Sequence, residues 1–311
     1  MLVRIDAQAL VPACASLVCF VFAAVLFGLW RGRQRPYQLV WSAGLLWYAL
    51  AAGADALGQT VGWTEATYRV WYLFGAIAAA AWLGLGEVYL FRTTGFGELV
   101  ALGVFGGAIP ALIRGGRLLG THDEPAAQAA IAIGLAGIAA AGLLAYVSWE
   151  KPEWLGHAAL LVVAGGSAVA AVRVATVPVD ATQMLDPATG VPHGAGFPDS
   201  VRLMTPLFNL GGALAILFGA AYSAWTYWRR GAHAERVLSN ALIALGALAP
   251  SLTSSLSRFG VTGVYYWGEL LGVLLIFAGF LANHEIVARR FHRADHAPAP
   301  LTARSTRAAR G

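Results

Sequence analysis

Long apolar segments restrict the fold of this chain more than any other feature of its sequence. A helix that spans a bilayer needs about 20 mostly apolar residues, and runs of about that length recur between charged residues, prolines and glycines. The predicted spans are, roughly, 9–30, 37–58, 67–91, 97–114, 127–149, 155–177, 203–228, 236–257 and 262–286. We therefore expect an all-α, polytopic transmembrane helix bundle of about nine spans over residues 1–290. The run at 97–114 is short and contains Pro110, so it could instead be re-entrant.

The composition agrees with a protein that is dissolved mainly in lipid. Charged residues make up only 12% of the chain, against about a quarter in soluble globular domains. Two cysteines are too few for a disulfide-stapled secreted scaffold. The sequence also leaves no segment long enough for a kinase, cyclase, ATPase or DNA-binding output domain.

The distribution of lysine and arginine predicts the orientation, because cytoplasmic loops are enriched in both. With the N-terminus outside and nine crossings, 14 of the 21 basic residues fall on the cytoplasmic side. They are Arg31, Arg33, Arg35, Arg92, Lys151, Arg229, Arg230, Arg236, Arg289, Arg290, Arg293, Arg304, Arg307 and Arg310. We expect the N-terminus outside, a disordered basic tail (291–311) in the cytoplasm, and a location in the cytoplasmic membrane of a bacterium. Anionic lipid accounts for the positive charge, so nucleic acid is not an expected partner.

One extramembranous segment is long enough to matter for function. Residues 177–202 contain four prolines together with Asp180, Asp186, His193 and Asp199, and the predicted topology places them outside. Loops of this length that lack regular structure are uncommon and often cover a site.

The sequence argues against the common membrane cofactors. Retinal needs a lysine within a span for its Schiff base, and Lys151, the only lysine, lies in a turn. A bundle haem usually needs paired axial ligands, but only His157 and His284 fall near spans, both at their ends. We found no zinc or phosphate-loop signature, so no metal or cofactor is assigned.

A few charged residues fall within or beside the predicted spans, where each costs several kcal/mol and calls for a partner or a role. Five of them lie in the outer third of the predicted bundle: Asp55, Arg69, Arg173, Arg258 and Glu269. Helical spacing also places Tyr48, Asp55 and Gln59 on one stripe of the second span. A polar stripe should face other helices or water rather than lipid. We therefore predict a polar vestibule that opens outward.

Two interpretations of these charges remain open. The acids could form structural ion pairs with the arginines, or both could bind a ligand or an ion. Three aromatic residues at the same level, Trp63, Tyr266 and Trp267, could wall the site, although tryptophans near span ends also form interfacial belts. Glu87, near the cytoplasmic end of the third span, fits a solvated carboxylate best, with a proton relay as the alternative.

Residues 41–75 carry a pattern of aromatic, glycine and acidic positions, namely Trp41, Trp47, Asp55, Trp63, Trp71, Tyr72 and Gly75. This pattern resembles the second and third helices of the multi-helix membrane regions that precede bacterial sensor histidine kinases. The resemblance implies a sensory membrane module. It transfers no functional residue.

Three functions are consistent with the sequence. The first is transport of a small solute or ion, with Asp55 and Glu269 as binding sites and the arginines as countercharges. The second is a sensory or ligand-binding module, or an accessory subunit that acts through a partner membrane or signalling protein. The third is an intramembrane enzyme acting on lipid or quinone, for which the sequence offers no nucleophile or metal set; an enzyme is therefore the least favoured.

Overall fold

The computed structural model describes residues 7–91, 95–187, 189–231, 237–246, 248–249 and 265–295. These residues are helical throughout the bundle, and an isolated β-bridge joins Leu185 to Pro192 in the loop before the seventh helix. The prediction of an all-α fold is confirmed.

The described residues include nine helices of more than two turns, which we number in chain order. They are α1 Ala7–Arg33, α2 Pro36–Val61, α3 Glu65–Phe91, α4 Phe96–Leu118, α5 Glu124–Glu150, α6 Leu155–Thr176, α7 Met204–Arg229, α8 Val237–Gly246 and α9 Tyr265–Asp295. A π-helical stretch, Tyr72–Ala78, interrupts α3, and a one-turn helix, Asp199–Arg202, precedes α7.

Seven helices in the described part of the chain are long and apolar enough to cross a membrane, and they correspond to the first seven predicted spans. This is compatible with an integral membrane protein. Most of the eighth predicted span, 236–257, and Arg258 lie outside the described residues. The ninth overlaps α9, whose apolar part, Tyr266–Ala282, is shorter. A count of nine therefore stays a prediction.

The segment with the least certain path in the sequence, around Pro110, forms a full helix. α4 runs for 23 residues, with Pro110 inside it. Membrane helices tolerate proline where neighbouring helices compensate for the lost hydrogen bond. In this part of the bundle α7 packs closely against α4, because an added Cβ on Gly107 would lie 2.5 Å from the Pro206 carbonyl oxygen.

Short turns set the antiparallel order of the helices. Pro36 occupies the first turn of α2, where its missing N–H costs nothing. Gly62 ends α2 with a positive φ of 95°, and Thr64 begins α3 through a capping box with Thr67. Asp123 caps α5 by accepting a hydrogen bond from the backbone of Ala126.

Glycines bring α7 against α3 and α4 in the middle of the bundle. A Cβ on Gly84 of α3 would lie 2.6 Å from the Gly212 Cα of α7, and one on Gly103 of α4 would lie 3.0 Å from the Gly211 Cα. Such close backbone approach is the common role of glycine in membrane bundles. The end of the bundle that carries the α2–α3 turn and the α6–α7 loop is called the loop end below.

Candidate ligand-binding cavity

A large cavity occupies the bundle between α2, α3, α7 and α9, beneath the α6–α7 loop. Its volume is about 900 Å³, which is within the range of ligand sites. Among the described residues, its polar and charged lining consists of Tyr48, Asp55, Trp71, Tyr72, Asp186, Thr189, His193, Asp199, Arg202, Thr205, Asn209 and Glu269. The remaining lining is made mostly of alanine, glycine and aliphatic side chains.

Asp55 of α2 and Glu269 of α9, distant in sequence, line this one cavity. The side chain of Asp55 is almost completely buried, at 1% exposure. Gln59 donates a hydrogen bond to the Asp55 Oδ1 over 3.3 Å and another to the Tyr266 hydroxyl over 2.7 Å. These contacts join α2 to α9 beside the acidic pair.

Three buried polar atoms on the cavity lining have no hydrogen-bond partner among the described residues. They are the Asp55 Oδ2, the Tyr48 hydroxyl and the Asn209 Oδ1. Buried polar groups in native proteins are nearly always hydrogen-bonded, and each exception calls for an explanation such as a water, an ion or a strained functional group. Three of the seven such atoms among the described residues therefore lie on this cavity, which makes it a candidate binding site.

The π-helical stretch of α3 forms one wall of the cavity. Tyr72, Gly75 and Ala76 line the cavity from within this stretch, and the Tyr72 hydroxyl lies 2.8 Å from the Thr205 hydroxyl of α7. π-helical turns are rare and often occur at functional sites. The sequence analysis did not identify this feature, because nothing in the composition of Tyr72–Ala78 distinguishes it from an α-helix.

The α6–α7 loop folds over the loop end of the cavity. Phe197 is 2% exposed and stacks on Tyr68 of α3 with ring centroids 5.1 Å apart. The Tyr68 hydroxyl donates to the His193 carbonyl oxygen over 2.5 Å. The loop residues Asp186 and His193 belong to the lining. The loop therefore covers the cavity at this end of the bundle.

Internal hydrogen bonds stabilise the loop before it reaches the cavity. Asp180 accepts from both the backbone N–H and the hydroxyl of Thr182, and these bonds to the charged form lower the pKa of the Asp180 carboxyl. The Asp180 backbone N–H also donates to the Gly196 carbonyl oxygen over 2.9 Å.

The arginines of the predicted vestibule are engaged elsewhere. Arg69 pairs with Glu65 and donates to the backbone carbonyls of Val174 and Val177, which ties α3 to the end of α6. Arg173 donates to the Ser200 hydroxyl over 2.8 Å. Neither arginine is part of the described lining, and Arg258 lies outside the described residues.

Arg202 lines the cavity and forms a salt bridge with Asp199, which also belongs to the lining. The Arg202 Nη1 lies 3.6 Å from the Asp199 Oδ1, and Asp199 also accepts a 2.6 Å hydrogen bond from the Arg114 Nε. In this cluster at the loop end, the two guanidinium groups share the Asp199 carboxylate.

The three aromatic residues that the sequence suggested as walls of the site lie in different surroundings. Trp63 packs over Gly58 and makes edge contacts with Tyr68 and Trp71, so it supports the wall from behind. Tyr266 is buried beside Gln59. Trp267 is 57% exposed on the outside of the bundle, the position of a tryptophan in an interfacial belt.

Glu87 lies farther along α3, toward the opposite end of the bundle. Its side chain is 6% exposed, which differs from the solvated carboxylate that the sequence suggested. Gly219 of α7 makes room for it, because a Cβ there would lie 2.6 Å from the Glu87 Oε2. None of the ion pairs found in the described part of the chain involves Glu87.

A second cavity, of about 490 Å³, lies between α3, α5, α6 and α7. Its described lining is apolar, with residues such as Ala81, Ile133, Val163 and Phe208. It offers no charged group or hydrogen-bonding side chain for recognising a polar ligand. Within the described residues, no group of three His, Cys, Asp or Glu side chains is placed to hold a metal ion.

Comparisons with protein-family models, with curated proteins and with solved structures found no match to this chain.

Proposed function

We propose that this chain is a multi-pass protein of the bacterial cytoplasmic membrane that binds a small solute in the 900 Å³ cavity and carries it across the bilayer. The observation that carries the proposal is the nearly inaccessible Asp55 carboxylate, which has an unpartnered oxygen on the lining of a cavity inside a bundle of apolar helices. An intramembrane carboxylate of this kind is costly and usually functional.

The distribution of basic residues supports an orientation with the loop end outside. The turns at the opposite end contain Arg31, Arg33, Arg35, Lys151, Arg229 and Arg230, and basic turns favour the cytoplasm. In this orientation the N-terminus is outside, as the sequence analysis expects, and the α6–α7 loop covers the external side of the cavity.

The cavity is deep enough to bring a solute past the middle of the membrane. Along α3 its lining extends from Trp71 to Leu83, which corresponds to roughly 18 Å at the rise of an α-helix. The hydrocarbon core is about 30 Å thick, so the barrier that remains covers the last turns of α3.

Aromatic contacts close the opposite end. The Trp41 Nε1 donates to the Leu83 carbonyl oxygen over 3.1 Å and links α2 to α3 at the deep end of the cavity. Farther along, Phe91 meets Tyr222 edge-on with centroids 5.9 Å apart. A cavity that reaches from the loop end past the middle of the bundle, with the α6–α7 loop as its external cover, is an arrangement expected of a carrier in one of its conformational states.

Transport can be tested with the purified protein in proteoliposomes, using a panel of radiolabelled cationic, neutral and anionic solutes. We expect saturable uptake of at least one solute, and we expect Asp55→Asn and Glu269→Gln to reduce it roughly tenfold or more by weakening a hydrogen bond to a charged group. Glu150→Gln, at an exposed position on the end of α5, is the matched control and should transport normally. Wild-type liposomes that take up no solute would contradict the proposal.

A ligand-binding sensory module is the second candidate, and the tight packing of the loop favours it. Phe197, Tyr68 and His193 fix the loop against α3, which suits a receptor that holds its ligand and signals through a partner. Saturable binding without any flux would favour this candidate over transport.

A further inference from the structure

We propose that the second cavity, of about 490 Å³ between α3, α5, α6 and α7, holds an acyl chain of a phospholipid whose phosphate binds Arg173 at the loop end. This site is separate from the cavity beside Asp55, and it adds a lipid ligand to the function proposed above.

The lining of the second cavity selects an apolar occupant. Its described lining consists of aliphatic side chains, methionine, phenylalanine and glycine. Water finds no hydrogen-bond partner among such side chains, and apolar cavities that stay dry take up apolar molecules instead. An occupant also supplies the van der Waals contacts that lining atoms lack across a void.

The cavity opens sideways, toward the surrounding lipid. On α3 and α7 its lining is buried, with Leu85 at 2% and Ala215 at 0% exposure. On α6, Leu161 and Val169 belong to the same lining yet are 70% and 57% exposed. Ala136 on the α5 side of the lining is exposed as well. An acyl chain can therefore enter from the bilayer between α5 and α6.

The length of the cavity matches one lipid chain. The lining extends along α5 from Ala132 to Leu144 and along α6 from Ala159 to Val169. These segments are roughly 18 Å and 15 Å long at the rise of an α-helix. Each leaflet contributes half of a hydrocarbon core that is about 30 Å thick, so a chain from one leaflet fills this length.

The width of the cavity excludes a helix of a partner protein. A volume of about 490 Å³ spread over this length leaves a mean cross-section of roughly 30 Å². An α-helix about 10 Å wide needs roughly 80 Å². A single extended hydrocarbon chain is the occupant that suits a space this narrow, this apolar and open to the bilayer.

Arg173 lies where the headgroup of such a lipid belongs. It is four residues beyond Val169 on α6, so the two side chains share one face, and its Cα is about 6 Å closer to the loop end. Arg173 donates to Ser200, which lies four residues before the lining residue Met204. The one-turn helix that carries Ser200 contacts both α5 and α6. Arg173 and Ser200 therefore stand at the loop end of the opening.

The charge of Arg173 is available to a phosphate. The residue is exposed, and its polar contact in the described part of the chain is the 2.8 Å bond to the Ser200 hydroxyl. None of the ion pairs among the described residues involves Arg173. A guanidinium carries five donors in a planar fork that matches a phosphate, so most of its donors remain for the headgroup.

Native mass spectrometry of the full-length protein in detergent micelles tests the inference with three probes. The first is palmitoyl-oleoyl-phosphatidylglycerol. The second, palmitoyl-oleoylglycerol, has the same chains without the phosphate, and the third, glycerophosphoglycerol, has the phosphate without the chains. We expect saturable binding of phosphatidylglycerol and roughly tenfold or more weaker binding of the other two, because one lacks the charge-assisted contact and the other lacks the buried chain.

Matched variants assign the binding to this site. Arg173→Gln should weaken phosphatidylglycerol binding roughly tenfold or more, whereas Arg117→Gln, an exposed arginine at the same end of the bundle, should not. Ala136→Phe, which places a ring in the opening, should weaken it by a similar factor. Ala139→Phe, at an exposed position of α5 outside the lining, is its control.

A further variant separates lipid binding from a structural role of Arg173. Ser200→Ala removes the hydrogen bond between Arg173 and the one-turn helix but leaves the guanidinium, so phosphatidylglycerol binding should persist. Near-ultraviolet circular dichroism checks that each variant is folded. Because Ala136→Phe leaves Arg173 intact, it decides the question if Arg173→Gln does not fold.

The outcomes do not depend on whether liposomes show transport. Equal binding of either comparison compound overturns the inference, and so does unchanged binding in folded Arg173→Gln or in Ala136→Phe. A loss in Ser200→Ala equal to that in Arg173→Gln also overturns it, because the arginine would then act by holding the loop. Selective binding of phosphatidylglycerol that both site variants weaken and both controls retain supports it.

Discussion

Replacing Asp55 with leucine should stabilise the protein while abolishing ligand binding. Asp55 is 1% exposed, and its Oδ2 has no hydrogen-bond partner among the described residues. A buried polar atom without a partner costs about 1–3 kcal/mol, whereas an apolar group of similar shape removes that cost. A carboxylate kept at such a cost is expected at a binding site, where stability is sacrificed for function.

The magnitude follows from the contacts of this carboxylate. Asp55→Leu loses one long hydrogen bond, from the Gln59 Nε2 at 3.3 Å, which is worth about 0.5–1 kcal/mol. Gln59 keeps its 2.7 Å bond to the Tyr266 hydroxyl. The net expectation is a gain of about 1–2 kcal/mol in the free energy of unfolding.

Reversible unfolding in mixed detergent micelles, followed by circular dichroism, measures this gain. Asp123→Leu is the matched control, because Asp123 caps α5 by accepting from the Ala126 N–H; it should lose about 1 kcal/mol. If Asp55 were instead one half of a structural ion pair, Asp55→Leu would lose about 3–5 kcal/mol by stranding its partner. That loss would refute the reasoning.

Three further predictions concern the packing and the loop. Gly212→Ala should lower the free energy of unfolding by about 3 kcal/mol or more through overpacking, because its Cβ would lie 2.2 Å from a backbone oxygen of α3. Gly165→Ala, which places its Cβ in open space, is the control and should change that free energy by less than about 1 kcal/mol. Denaturant titration compares the two variants, and equal stabilities would contradict the α3–α7 contact. Tyr68→Phe removes the donor to the His193 carbonyl and should speed proteolytic cleavage within 178–198 severalfold; an unchanged rate would show that this bond does not hold the loop. Asp180 has a lowered pKa, so its turn is stabilised at neutral pH and loses that stabilisation as the pH falls through the lowered value. The rate of hydrogen exchange in the loop, corrected for intrinsic rates, should rise over this acidic range. In Asp180→Asn the corrected rate should not depend on pH.

The sequence predicted the helices well because hydrophobic length is a strong, local signal. The first seven predicted spans coincide with long apolar helices. Pro110 made one of them doubtful, since a single sequence cannot reveal how closely α4 packs against α7 around the proline. The seven-residue and four-residue steps from Tyr48 to Asp55 and Gln59 also predicted a shared polar face, and two of these residues line the cavity while Gln59 contacts Asp55.

The site was less accessible to sequence reasoning because it depends on tertiary contacts. Depth along a helix placed Arg69 and Arg173 beside the acids, but depth does not specify the direction around the axis, and both arginines bind other groups. Asn209 had no signal beyond being one amide in an apolar helix. The stacking of Phe197 on Tyr68 depends on the loop folding back onto α3, which the sequence does not indicate.

Thiol accessibility tests most directly whether a water-accessible cavity lies inside the bundle. In a background with Cys14 and Cys19 replaced by alanine, single cysteines at Ala76 and Asn209, which line the cavity, are compared with one at Leu17, which is 66% exposed on the outer surface of α1. We predict that a membrane-impermeant methanethiosulfonate reagent modifies Ala76→Cys and Asn209→Cys in membranes, and that Leu17→Cys, facing lipid, does not react. If the reagent modifies Leu17→Cys but neither Ala76→Cys nor Asn209→Cys, the account is contradicted.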